Sequence, residues 1–97
     1  MPSTIRTVIE NVSVSEVIDA ELEIYPRLGE AFEALKWWLS RVPESGEITD
    51  DVNWLYMQDG NVKKNIPALV VVYTFNAWEV VLKHILVRVP KLSNRAK

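Results

Sequence analysis

The chain has one histidine, and it stands in "WEVVLKHILVRV", with Lys83 just before it and Arg88 four residues after it. Imidazole moves protons near neutral pH more readily than any other side chain. His84 is therefore either a piece of acid–base chemistry flanked by cations or a core residue that happens to titrate. A second basic spot lies in "NWLYMQDGNVKKN", where Lys63 and Lys64 follow Trp54 and Tyr56. Rings beside lysines can stack bases while the ammonium groups meet phosphates. The plainer reading is a solvated hairpin whose lysines keep an edge strand from pairing.

Other chemistries find little support. The three glycines are scattered, so neither familiar phosphate-binding loop is present. With no cysteine and one histidine, a thiolate zinc site is excluded and few ligands remain for any other. No cofactor is expected. The acidic run "ESGEITDD" lacks the ligand alternation and central glycine of a calcium loop, which makes it a solvated loop. No serine has the context of a nucleophile elbow.

These residues must be positioned by a small frame. Ninety-seven residues suit a single core. Apolar residues make up 48% and charged ones 25%, the usage of a globular domain rather than a disordered one. A net charge of −2 does not advertise the surface as a whole for nucleic acid. The N-terminus lacks a cationic stretch followed by an apolar one, and charges interrupt the longest apolar run. Neither a signal peptide nor a membrane helix is expected. The absence of cysteine fits a reducing, cytoplasmic home.

Periodicity divides the chain. "TIRTVIENVSV" is β-branched and predicts a strand near residues 4–12. Ser13 and Glu16 have the spacing of a capping box. Val14, Val17, Ile18, Leu22 and Tyr25, then Leu28, Phe32, Leu35, Leu39 and Val42, mark one helical stripe each. Pro26 fits the first turn of a second helix or a kink in a single one. Pro43 and Gly46 end the helical part. Strands are expected near 52–58, 61–75 and 78–89, turning at Asp59-Gly60 and Asn76-Ala77. The fold class is α+β: an N-terminal strand, a helical hairpin or kinked helix, then a three-stranded antiparallel meander, with the helices on one face. A single domain spans 1–90, and the polar tail 91–97 is expected to fray. The expected core is Leu22, Leu28, Phe32, Leu35, Leu39, Val71, Tyr73, Phe75, Val80 and Leu82.

The turns set the register. Asn76-Ala77 pairs Phe75 with Trp78, Tyr73 with Val80, Val71 with Leu82 and Leu69 with His84, all on the apolar side. His84 then lies at the core margin, and one bulged residue would carry it to the other face. Asp59-Gly60 pairs Tyr56 with Lys63 and Leu55 with Lys64. On the second helix Trp37 and Trp38 are adjacent and cannot share a face. Trp38 flanks the core and Trp37 points outward, which makes Trp37 a candidate interface for a second copy or another partner.

The order of elements resembles the RelE/ParE superfamily of bacterial toxins. "EAFEALKWWLSRVPESGE" looks like the second helix of that family with its following loop, and "IPALVVVYTFNAWEVVLKHI" looks like its two central strands, with Tyr73 at the family's tyrosine. The resemblance implies the toxin of a type II toxin–antitoxin system, neutralised by an antitoxin protein and cutting mRNA on the ribosome. Such cleavage needs a base for the 2′-hydroxyl and cations for the phosphorane charge. His84 and Arg88 would be the catalytic pair, with Lys63, Lys64, Lys83 and Tyr56 holding RNA. The alternative is a non-catalytic binding module that keeps the toxin-like fold.

Overall fold

The structure is a computed structural model that describes residues 5–89. The tail 91–97, expected to fray, lies outside them. Strand β1 (Thr7–Glu10) leads to helices α1 (Val12–Glu21) and α2 (Leu28–Arg41), then a short 3₁₀ turn at Pro43–Ser45. Strands β2 (Glu47–Ile48), β3 (Trp54–Gln58), β4 (Ala68–Phe75) and β5 (Glu79–Arg88) complete the chain. The class is α+β, as the periodicity predicts. The sheet is larger than the expected meander, with five strands in the order β1-β5-β4-β3-β2. β1 lies parallel to β5 at one edge, and the two-residue β2 extends the other.

Both helices lie against the same face of the sheet. Val14 and Ile18 of α1 and Leu28, Ala31, Phe32, Leu35 and Leu39 of α2 share one buried cluster with Leu69, Val71, Tyr73, Val80, Leu82 and Ile85. The predicted stripes are thus the buried faces, although Leu22 and Phe75 sit at the cluster's margin, partly buried. Two local signals fail. Helix α1 begins at Val12 with Asn11 before it and no side-chain cap, and the Ser13 hydroxyl donates instead to the Lys83 carbonyl at 3.1 Å. Pro26 lies in the link between the helices, outside both of them.

A polar clasp closes the margin. The Lys36 ammonium on α2 reaches Glu10 of β1 and Glu33 of its own helix, each at 2.9 Å. Burial pulls the Lys36 pKa down, but its bonds to the two carboxylates outweigh that and raise it. Glu10 also accepts from Ser15 of α1 at 3.1 Å, so one carboxylate ties three elements.

The link between β3 and β4 departs from expectation. Asp59-Gly60 is not a hairpin turn. The chain reverses at Val62–Asn65, closed by reciprocal bonds of 2.8 and 2.9 Å between the backbones of Asn61 and Ile66. Asn65 takes the left-handed conformation (φ 56°) that Asn tolerates better than most residues. Gly60 is needed for another reason: a Cβ there would run into the backbone of Ile66, Pro67 and Ala68. The pairing follows suit. Tyr56 lies opposite Val71 rather than Lys63, and Leu55 opposite Val72 rather than Lys64.

Candidate functional site

The β4–β5 hairpin decides where His84 goes. Its turn is one residue later than expected, at Ala77-Trp78. The Asn76 side chain accepts from the backbone amides of Trp78 (2.8 Å) and Glu79 (2.9 Å), the self-capping that favours Asn in turns. Phe75 therefore pairs with Val80 and Tyr73 with Leu82, while Trp78 is left 75% exposed. A one-residue turn shift moves each pairing by two, so the faces are unchanged as far as Leu82. Then the register slips: Tyr73 faces Leu82, but Val72 faces His84, and Lys83 is the extra residue.

This bulge has a clear physical cause. In "LKHIL" strict alternation would bury His84 and expose Ile85. One extra residue instead brings Leu82 and Ile85 to the core, 0% and 9% exposed, and turns His84 outward. Burying Ile85 gains about 1.5–3 kcal/mol, whereas an imidazole without a partner costs free energy to bury. The expected placement of His84 at the core margin is thus corrected: it is exposed, on the face away from the helices.

Neither helix covers that open face. Three rows cross it. Ile9, Val81 and Thr74 form one, His84, Val72 and Leu55 the next, and Leu86, Val70 and Met57 the third. Met57 is 65% exposed, Leu86 54% and Ile9 40%. Charges stand around these apolar residues. Glu79 and Arg88 occupy opposite ends of β5 on this same face. Lys83 reaches across to the Asn53 side chain at 2.9 Å.

The other candidate residues are scattered. Tyr56 belongs to the helix-facing side, half-buried, where burial raises its pKa. Lys63 and Lys64 are exposed in the β3–β4 loop, outside the named strands. The proposed aromatic–lysine platform is therefore not assembled. His84 and Arg88 share the open face, but four strand residues separate them by roughly 13 Å. Trp37 points outward from α2, 55% exposed, with the Arg41 guanidinium 4.1 Å above its ring. Trp38 is 38% exposed and donates its indole N–H to Ser45 at 2.8 Å.

Tyr73 is fully buried, and its hydroxyl donates to the Pro43 carbonyl. Burial pushes its pKa up to about 12. It anchors the turn after α2 and is closed to any substrate. In the acidic loop, Asp50 accepts from the amides of Val52 and Asn53 and from the Asn53 side chain, and these bonds lower its pKa. Among the described residues no three His, Cys, Asp or Glu side chains converge on a point that could hold a metal ion. No helix of the described residues is long and apolar enough to cross a membrane.

No known protein family, no curated protein and no solved structure matches the chain.

Proposed function

We propose that the chain is a small binding module that acts through its open sheet face. One observation carries this reading: Met57, Val70, Val72 and Leu86 form a contiguous apolar surface that neither helix covers, while the candidate RNA-binding residues are spread over separate surfaces. Exposed apolar surface of this kind, rimmed by charge, is how soluble proteins meet other proteins. A photo-crosslinking side chain placed at Leu86 or at Met57 is expected to give discrete adducts in cells, and the same group at the exposed Glu23 of the α1–α2 link is not. Equal, diffuse labelling at all three positions would reject the reading.

A second reading keeps the toxin-like ribonuclease, because His84, Lys83 and Arg88 share one face. Expression would then arrest growth, and His84→Ala or Arg88→Ala would relieve the arrest. Harmless expression and intact ribosome-bound mRNA would eliminate it.

A further inference from the structure

We infer that the occupant of the open face is a second copy of this chain, stacked face to face with antiparallel strands. The inference rests on the reading of that face as a binding surface and adds the identity of the partner.

Charge placement on β5 carries it. Glu79 and Arg88 end the strand on the same face, and among the described residues neither has an ion-pair partner within 4.0 Å. A two-fold axis lying between the two sheets, across the strands and over the row His84, Val72 and Leu55, reverses β5 upon itself. Glu79 then meets Arg88 of the second copy, and Arg88 meets its Glu79, so these two charges find their opposites in two symmetric pairs, while Lys83, beside the axis, is turned across the strands to Asn53. The same operation sets Val81 against Leu86 of the second copy, and Thr74 against its Val70. A face that complements itself under one rotation is what an isologous dimer requires. Packed sheets accept this alignment, since their strand directions stay within about 30° of each other.

The area suits a weak contact. The five strands, from two to ten residues long, at about 3.3 Å per residue and about 4.8 Å apart, give a footprint of roughly 450 Å² per copy. Two such footprints, roughly 900 Å², lie at the small end of the range, among transient associations. This size fits a reversible dimer rather than a permanent one.

Sedimentation equilibrium on the full chain, from low to high micromolar concentration, tests the inference. The unaltered protein is expected to pass from monomer to dimer over that range. Glu79→Arg and Arg88→Glu should each weaken the dimer about tenfold or more, by setting like charges against each other. The double variant, with the two charges exchanged, should recover most of that loss. Leu86→Asp should give a monomer with an unchanged circular dichroism spectrum and, at the low concentration where the parent is also monomeric, an unchanged unfolding midpoint. A dimer indifferent to all these changes would place the contact elsewhere and overturn the inference, as would a double variant no better than either single one. A protein that stays monomeric, while crosslinkers at Leu86 and Met57 capture a different protein, would overturn the second copy as occupant and leave the binding-face reading intact.

Discussion

Leu35→Ala is expected to lower the free energy of unfolding by about 3–5 kcal/mol, a large part of the total for a domain of this size. Leu35 is fully buried in the stripe of α2 that packs on the sheet, with Phe32 and Leu39 to either side in sequence. Removing it takes away the transfer energy of the missing carbons. It also leaves a cavity that neighbours on a rigid five-stranded sheet cannot close. Urea unfolding, with the slope unchanged and the midpoint lowered, would register this. Glu23→Ala, at an exposed position of the α1–α2 link, should change the free energy of unfolding by no more than about 0.5 kcal/mol. A loss below about 0.5 kcal/mol at Leu35 itself would mean that α2 is packed through another face.

Tyr73→Phe should have the second large effect, with a distinctive pH dependence. At neutral pH the variant loses a buried hydrogen bond and leaves the Pro43 carbonyl without its donor, at a cost of about 1–3 kcal/mol. The alkaline behaviour follows from the folded pKa of about 12 against an ordinary 10.0. The fold accepts the neutral phenol, so the folded state holds this proton more tightly than the unfolded chain. Stability from this source is complete below pH 10 and disappears as pH rises to about 12, an amount of about 3 kcal/mol. Lysines titrate in the same window, and Tyr56 is also raised by burial. The diagnostic quantity is therefore the difference between parent and variant, which should narrow steadily above pH 10. Parallel curves would show that the Tyr73 hydroxyl is not buried as described.

Sequence periodicity located the helix stripes because they depend only on which residues are apolar and on a 3.6-residue turn. Leu28, Phe32, Leu35 and Leu39 needed no knowledge of a partner. The sheet was harder. β1 joins β5 in parallel across some seventy residues of chain, and no local signal reports such a contact. Asp59-Gly60 misled because glycine serves two needs, a turn and close backbone approach, and Gly60 meets the second. The position of His84 was legible only in part. The spacing of Leu82 and Ile85, three apart with two polar residues between, is the mark of a bulge within an alternating strand. Pairing by the turn alone could not register it. Trp37 was placed outward by simple helix geometry, while its stacking with Arg41 depended on the side chain one turn later.

The short β1 has a further consequence. It stops at Glu10 opposite Leu82, so from Lys83 to Arg88 β5 has a strand neighbour on one side only. Helix α1 starts at that point, tied by the Asn11 amide to the Leu82 carbonyl and by Ser13 to Lys83, and it packs chiefly on β5. The helix thereby serves as an edge guard. Its sequence has no acidic residue in its first turn, no basic residue in its last and no side-chain cap, so its own helical stability is modest. When heat or denaturant loosens the protein, this segment is poised to leave early and bare the ladder of "HILVR", a β-branched row with few charges. Loss of the guard would turn an intramolecular strand into a template for other chains. Resistance to aggregation should thus track the capping of α1 more closely than it tracks the depth of the core.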